Sequence, residues 1–408
     1  MRDLSAIYDG QRLLTYSRLI AFAFMAALVG SWTISAGLLD PSGKPLGADF
    51  ITFWSAGRLS LDGNAAGAFD RETIFAMQRQ AVPGSDAVFL WNYPPTFQLV
   101  AAGLAAMPYA LSYFVFVAAG VAAFLVALRP LVPWREAGVL LLALPGTFIC
   151  VLHGQNSLIS AALMTCAIVM IDRRPVVAGV CIGLLAYKPQ FGLLFPLVLA
   201  ITGRWRVMAA AAGTTAVFAG AATLVFGLEL WSAFLQNLPV VRQVMESGQL
   251  PWGKMPSAWV FLRKLGAGEA TAYAAQTIVA CSAVAATVYV WWRCGPTLLA
   301  GAVLVSGTML LSPYTFDYEM AIMAVPLAII AQRLVEQGAD TREKVLLLIL
   351  ALTPLFMGTP VDATGLQLGF AALATTFVWS ARMALAAAVE RASTCDGVDG
   401  GGVARAFH

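Results

Sequence analysis

Charged residues are scarce in this sequence, and their scarcity decides the class of protein. Asp, Glu, Lys and Arg make up 12% of the 408 residues, against about 25% in soluble domains. Hydrophobic residues make up 60%, and the mean hydropathy is +0.78. A water-soluble fold cannot bury so much apolar surface, so the composition predicts an integral membrane protein surrounded by membrane lipids. The net charge is only +3 and forms no basic stripe, so no nucleic acid is expected as a partner.

Residues that hold metals and cofactors are equally rare. The chain has two histidines and six cysteines, and no two cysteines have CxxC spacing. A His-built metal centre, a zinc site and a disulfide framework are therefore not expected. The sequence also has no P-loop and no GxGxxG motif beside a strand. It predicts neither a bound metal nor a cofactor.

Short basic segments separate the apolar runs, among them Arg173/Arg174 and Arg204/Arg206. If positive residues stay in the cytoplasm, the chain crosses the membrane twice between consecutive basic loops, with both termini inside. The first run is too long for the apolar region of a signal peptide, so we interpret it as an uncleaved helix. The twelve predicted crossings are 19–39, 109–128, 137–151, 157–171, 175–187, 190–202, 207–227, 270–292, 296–312, 318–334, 345–358 and 365–388.

This topology predicts an all-α polytopic membrane protein with a large first extracytoplasmic loop. Residues 1–18 form a cytoplasmic segment, residues 19–390 the transmembrane domain, and residues 391–408 a flexible cytoplasmic tail. The two large extracytoplasmic loops are 40–95 and 228–269.

Several of these crossings are too short for a membrane. A helix of residues 175–187 rises about 20 Å, whereas the hydrocarbon core is about 30 Å thick. Broken or re-entrant helices persist only where they line a protein-buried or water-filled cavity. We therefore expect the breaks at Gln155 and Lys188 to lie below the membrane surface, in one cavity open to the outside. The alternative is a single kinked helix over 176–202, which places Arg173 and Arg204 on opposite sides.

The first outer loop contains most of the candidate functional residues. Asp49 precedes a helical pattern that contains Phe53 and Trp54, and an amphipathic helix is predicted near 72–80. An aspartate at the start of a helix most often caps it, because its carboxylate accepts the free backbone N–H groups of the first turn. Capping is therefore the simplest role for Asp49.

A series of short motifs occurs along the chain in this order: Asp49-Phe50, Ala56-Gly57, Gly63, Phe69-Asp70, Tyr93-Pro94-Pro95, Gly154-Gln155-Asn156, Lys188-Pro189-Gln190, Pro313-Tyr314 and Asp317-Tyr318. This ordered set resembles glycosyltransferase family 87, whose members are polyprenyl-phosphate-sugar-dependent mannosyltransferases of the membrane-embedded GT-C class. Two departures from the family pattern stand out: Ala68 precedes Phe69-Asp70 where the family often has Pro-Tyr-Asp, and the acid after Tyr318 is Glu319.

The resemblance implies a GT-C-like fold and a metal-independent, inverting sugar transfer on the extracytoplasmic side of the inner membrane. The donor would be a polyprenyl-phosphate-linked sugar, mannose by resemblance, and the acceptor a lipid or glycan hydroxyl. Asp49 matches the position of the family's general base, with Asp317 as the alternative base. The candidates for donor phosphate binding are Lys188, Arg263 and Lys264, and those for sugar or acceptor binding are Tyr93, His153, Gln155, Asn156, Gln190, Tyr314, Asp317 and Tyr318.

Plainer roles stay open for several of these residues. Lys188 can extend to the membrane surface as an interfacial lysine, and the residues from His153 to Asn156 can cap broken helices. The tyrosines can be interface anchors. Two other function classes also remain: a transporter or flippase for a lipid-linked or polar solute, and a membrane scaffold without chemistry. The absence of an internal repeat and the large loop 40–95 favour the enzyme.

Overall fold

A computed structural model describes residues 10–35, 37–40, 43–85, 87, 89–132 and 137–399. About 78% of the chain is helical, and the described part contains no strand, only an isolated bridge between Leu39 and Pro45. The all-α prediction is thus confirmed. The first half of the chain forms α1 (Gly10–Ile34), α2 (Phe50–Leu61), α3 (Arg71–Ala81), α4 (Pro95–Ala105), α5 (Tyr109–Leu128), α6 (Ala137–Leu142), α7 (Pro145–His153), α8 (Ser157–Met170), α9 (Pro175–Leu184) and α10 (Leu194–Ile201).

The second half is built in the same way, with short 3₁₀ segments joining or extending the helices. Its helices are α11 (Trp205–Phe226), α12 (Glu229–Glu246), α13 (Ala258–Lys264), α14 (Glu269–Cys294), α15 (Leu298–Met309), α16 (Ala324–Gln337), α17 (Thr341–Leu352), α18 (Thr359–Thr364) and α19 (Leu368–Asp399). The 3₁₀ segments are Ala65–Phe69, Leu185–Tyr187, Pro189–Phe191, Trp252–Lys254, Asp317–Met323 and Thr353–Phe356.

Six described helical segments are long and apolar enough to cross a membrane, which establishes a membrane protein but not the predicted twelve crossings. They are Leu13–Ile34, Tyr109–Leu128, Trp205–Phe226, Glu269–Cys294, Asp317–Gln337 and Leu368–Arg391. Four other predicted crossings correspond to shorter apolar helices, at Ser157–Met170, Pro175–Tyr187, Pro189–Ile201 and Leu298–Met309. A further short apolar helix, α4, was not predicted as an element.

The chain turns back on itself between residues 175 and 201. Arg204 Nη2 lies 2.8 Å from Asp172 Oδ1, so the two basic loops are neighbours. Helices α9 and α11 run parallel: a Cβ on Gly179 would lie 2.5 Å from the carbonyl oxygen of Val207, and one on Gly183 would lie 2.6 Å from that of Ala211. The segment between them must therefore return, and the single kinked helix is wrong. Lys188 lies at the tip of this hairpin.

The centre of the bundle is α15, where every residue from Ala300 to Met309 is buried. It packs against α14, α16 and α19, and its small residues allow close approach between helices. Helices α2 and α4 pack against each other, apart from α15. Gln98 links them, because its Nε2 donates to the carbonyl of Ala56 at 3.1 Å and to Ser60 Oγ at 2.7 Å. This packing fixes the position of α2 and of Asp49, the residue that precedes it.

The helices at the two ends of the chain extend past the predicted ends of the transmembrane domain, whose bounds stay a prediction. Helix α19 continues through Asp399, past the boundary predicted at residue 391, so the first part of the expected tail is helical. The part of this helix that is long and apolar enough to cross a membrane is Leu368–Arg391. At the other end, α1 already begins at Gly10, inside the segment 1–18. Residues 1–9 and 400–408 lie outside the described residues.

Candidate functional site

Asp49 stands at the start of α2 but does not cap it. Its side chain makes no hydrogen bond to the backbone N–H groups of the first turn. Instead, Gln155 Nε2 donates to Asp49 Oδ2 at 3.0 Å. Among the described residues, none donates a hydrogen bond to the other carboxylate oxygen, Oδ1. The capping role is therefore wrong for this side chain, and one of its oxygens is available to accept a proton.

Gly154 brings Gln155 to Asp49. It ends α7 in the left-handed conformation, with a φ of +64°, which favours glycine because a side chain is strained there. A Cβ at this position would also lie 2.6 Å from Phe50 Cβ, at the first turn of α2. Tyr113 supports this contact, because its hydroxyl donates a hydrogen bond to the carbonyl of Val151 in α7 at 2.9 Å. The tip between α7 and α8 is thus pressed against the start of α2.

A hydrogen-bond chain runs from Asp49 into the protein. The Tyr93 hydroxyl donates to Gln155 Oε1 at 3.1 Å and accepts from Asn156 Nδ2 at 3.0 Å. Gln155 is therefore held at both ends of its amide, by Tyr93 and by Asp49. Burial raises the pKa of Tyr93 to about 12, so its hydroxyl remains a donor at neutral pH. Tyr93 lies 62 residues before Gln155 and 63 before Asn156 in the sequence. Through Gln155 it helps to orient the carboxylate of Asp49.

Lys188 is buried and paired. Its Nζ lies 2.8 Å from Glu319 Oε1, and the two side chains are only 6% and 5% exposed. Three aromatic rings surround the ammonium, with centroids 5.6 Å away for Tyr93 and Phe191 and 5.5 Å for Tyr318. A buried ion pair with these neighbours is well compensated, whereas either charge alone would not be. Lys188 does not extend to water, so the interfacial role is wrong.

A second ion pair lies beside the first. Lys254 Nζ is 3.5 Å from Asp317 Oδ2 and 3.0 Å from His153 Nε2. The other ring nitrogen of His153 lies 2.9 Å from the carbonyl of Ile149, which can only accept. Nδ1 therefore carries the hydrogen, and Nε2 accepts from the ammonium of Lys254. Lys254 was not among the predicted site residues.

These groups form one site. The ring of Tyr318 connects the two ion pairs: its centroid is 5.5 Å from Lys188 Nζ and 6.1 Å from the ring centroid of His153, the residue that contacts Lys254. Electrostatic interactions link Asp49 to Asp317 and to Tyr318. The site thus combines three carboxylates and two ammonium groups with amide, imidazole and phenol groups. No group of three or more His, Cys, Asp or Glu residues that could hold a metal occurs in the described part of the chain.

Four predicted site residues lie apart from this cluster. The Arg263 guanidinium packs over Trp252 and Trp259 and donates to the carbonyl of Ala267. Lys264 forms an ion pair with Asp362 at 2.6 Å. The two remaining residues are Tyr314, which packs against the apolar cluster of Met245, Met255, Trp259, Val260 and Ala272, and Gln190, for which no polar contact with the cluster is described.

The fold and the cluster together define a helical membrane protein with a polar site enclosed between short and broken helices. The profile of glycosyltransferase family 87 matches residues 91–313, more than half of the chain. The chain belongs to this family and is therefore a glycosyltransferase. The matched range contains Tyr93, Gln155, Lys188 and Lys254 but not Asp49. No curated protein sequence and no solved structure matches the chain.

Proposed function

We propose that this glycosyltransferase moves a sugar from a polyprenyl-phosphate donor to an acceptor hydroxyl, with inversion and without a metal, and that Asp49 is the general base. The observation that carries the proposal is the state of the Asp49 carboxylate. Oδ2 is held by Gln155 at 3.0 Å, and Oδ1 receives no hydrogen bond from the described residues. An oriented carboxylate with one open oxygen is what a base needs to take a proton from a hydroxyl.

The reaction is a single displacement at the anomeric carbon. The acceptor oxygen forms its bond to that carbon while the bond from the carbon to the phosphate oxygen breaks. The hydroxyl proton passes to Asp49, and the bonding electron pair leaves with the polyprenyl phosphate. Attack from the face opposite the phosphate inverts the anomeric centre. The leaving phosphate gains negative charge, which a nearby cation stabilises.

The neutral groups of the site suit a sugar. Gln155, Asn156, His153 and the Tyr93 hydroxyl offer donors and acceptors for hydroxyl groups, and Asp317 and Tyr318 lie beside them. The Asn156 Oδ1 supports this role, because it is buried and has no partner among the described residues. A buried acceptor without a partner is unfavourable until a donor, such as a sugar hydroxyl, reaches it. Mannose is the sugar that the family resemblance favours.

The position of the site within the fold supports an extracytoplasmic active site. Asp172 and Arg204 lie at the open end of the α9–α10 hairpin, and Lys188 lies at its tip. If the basic end faces the cytoplasm, the tip and the catalytic cluster point towards the outside. A polyprenyl-linked donor in the outer leaflet of the inner membrane would then reach the site from the lipid, and the acceptor would reach it from the periplasm or exterior.

The test compares two aspartates of the first outer loop. Asp49→Asn keeps the shape of the side chain but removes the base, so turnover should fall by about 10²–10⁴ while donor affinity changes little. Asp70→Asn is the matched control, because Asp70 is a true cap that accepts from the Thr73 N–H at 2.9 Å. Asparagine caps a helix about as well as aspartate, so this variant should keep full activity.

Transfer of radiolabelled mannose from polyprenyl-phosphate-mannose in membranes is the measurement. A fully active Asp49→Asn enzyme would remove Asp49 as the base and leave Asp317 as the next residue to test. Wild-type membranes that transfer no sugar from any polyprenyl-phosphate donor would contradict the proposed donor class itself.

A further inference from the structure

Lys254 reaches the site from the second outer loop. It ends the 3₁₀ segment Trp252–Lys254, and its side chain is 33% exposed, while its partner Asp317 is 7% exposed. An ammonium has three N–H donors. Among the described residues, Lys254 uses them towards His153 at 3.0 Å and Asp317 at 3.5 Å, so donor capacity remains on its accessible side. Lys188, by contrast, is sealed against Glu319 and three rings.

The backbone that carries Lys254 is clamped in place. The buried Gln367 amide donates from Nε2 to the carbonyls of Trp252, Gly253 and Met255, at 3.2, 3.4 and 2.9 Å. The Gly253 carbonyl also accepts from the N–H of Gly358 at 2.9 Å. A Cβ on Gly253 would lie 2.5 Å from the Gly358 carbonyl oxygen, so only glycine allows this contact. These contacts fix the backbone from which the Lys254 side chain extends.

We propose that Lys254, rather than the buried Lys188, contacts the phosphate of the donor and stabilises the leaving polyprenyl phosphate, and that Gln367 positions it. This inference rests on the proposed function. Lys254 belongs to the site through its contacts with His153 and Asp317, and its exposed face can meet an anion without breaking a buried pair. As the bond from the anomeric carbon to the phosphate oxygen breaks, the ammonium offsets the growing charge and keeps its own protons.

The experiment measures binding of polyprenyl phosphate to the purified full-length chain in lipid nanodiscs. Lys254→Gln should weaken binding about 10- to 100-fold, as expected for the loss of a charge-assisted hydrogen bond. Lys254→Arg keeps the charge and should bind better than Lys254→Gln. Lys44→Gln is the matched control, because Lys44 is an exposed lysine of the other outer loop, and it should bind like the wild type.

Loss of Lys254 also leaves Asp317 without its cation, so a double variant separates the two effects. Lys254→Gln with Asp317→Asn should still bind polyprenyl phosphate weakly. A return to wild-type affinity would overturn the inference, because it would assign the loss to repulsion by Asp317. Unchanged affinity in Lys254→Gln would also overturn it. A wild-type protein that binds no polyprenyl phosphate would instead contradict the proposed function and remove the basis of the inference.

The positioning role of Gln367 has its own readout. Gln367→Leu removes the amide whose two N–H groups are shared among three carbonyls of the segment around Lys254, while the lysine itself stays. If the clamp acts through Lys254, the KM for the donor should rise while the KM for the acceptor stays constant. A variant that lowers kcat alone, or changes both KM values equally, would contradict the positioning role.

Discussion

The two lysines of the site can be compared directly, because each faces a carboxylate of the same 3₁₀ segment, Asp317–Met323. Lys188 lies 2.8 Å from Glu319, and both side chains are about 5% exposed. Lys254 lies 3.5 Å from Asp317, and a third of its side chain is exposed. We call Lys188–Glu319 the closed pair and Lys254–Asp317 the open pair. The two pairs have the same charges but different roles: the closed pair holds the broken helices together, and the open pair leaves a cation for a ligand. The first two of the four predictions below test this division, and the other two test the groups around the lysines.

Removing the anion of the closed pair should have the largest effect on stability. Glu319→Gln leaves the buried ammonium of Lys188 without a counter-ion, and breaking a buried pair in this way costs about 3–5 kcal/mol. We expect a low yield of folded protein and a lower midpoint of thermal unfolding in detergent. The double variant Lys188→Met with Glu319→Leu should recover much of that stability. A Glu319→Gln protein as stable as the wild type would contradict the structural role of this pair.

The same change in the open pair should affect stability much less. Asp317→Asn removes the anion next to Lys254, but water already reaches that lysine, so the loss should be no more than about 1 kcal/mol. The midpoint of thermal unfolding should therefore stay close to that of the wild type. If Asp317→Asn destabilised the protein as much as Glu319→Gln, the distinction between the two pairs would be lost.

Tyr93 separates the role of a ring from that of a hydroxyl. Tyr93→Phe keeps the ring over Lys188 but removes the hydroxyl that orients Gln155, so stability should fall by about 1 kcal/mol and turnover by about tenfold. The raised pKa of Tyr93, about 12, keeps the hydroxyl protonated across the assay range. The ratio of variant to wild-type activity should therefore be constant from about pH 6 to pH 10. A ratio that changes with pH in that range would indicate that Tyr93 titrates.

A chelator should have no effect. The positive charge of the site comes from Lys188 and Lys254, and the described residues contain no group suited to a metal. Sugar transfer should therefore be the same with and without excess EDTA. Activity that is lost with EDTA and restored by magnesium or manganese would contradict this, and would make Asp317 and Glu319 candidate ligands.

Local features of the fold were predictable from the sequence, because they depend on local patterns. Apolar length placed α5 at residues 109–128, and amphipathic spacing predicted a helix near 72–80, where α3 spans Arg71–Ala81. The proline and polar breaks marked the tips at Gln155 and Lys188. The hydropathy pattern could not give the number of membrane crossings. Helices that are buried in protein need not be as long as the membrane is thick, so a short apolar helix can be a crossing or a partial one.

The partners within the site were less predictable. Asp49 meets Gln155 across 106 residues, and Lys188 meets Glu319 across 131 residues, so no local spacing indicates either contact. In the sequence, Glu319 stands out as a departure from the family pattern, and nothing there points to Lys188 as its partner. Lys254 could not be predicted for the same reason. It is a single lysine in a loop, and its partners His153 and Asp317 lie far from it in the sequence. Its one signal was the adjacent Trp252-Gly253, which allows a close approach of the backbone.

The distance in sequence between Lys188 and Glu319 also bears on the order in which parts of the protein assemble. A ribosome adds about 5–20 residues per second, so the 131 residues between the two take roughly 7–26 s to synthesise. During that time the α9–α10 hairpin carries a cation without its anion, which is unfavourable in hydrocarbon. We therefore expect the hairpin to settle at its final depth after the segment Asp317–Met323 has emerged. A chain cut short before Glu319 would contain Asp49, Gln155 and Tyr93 but would not complete the site.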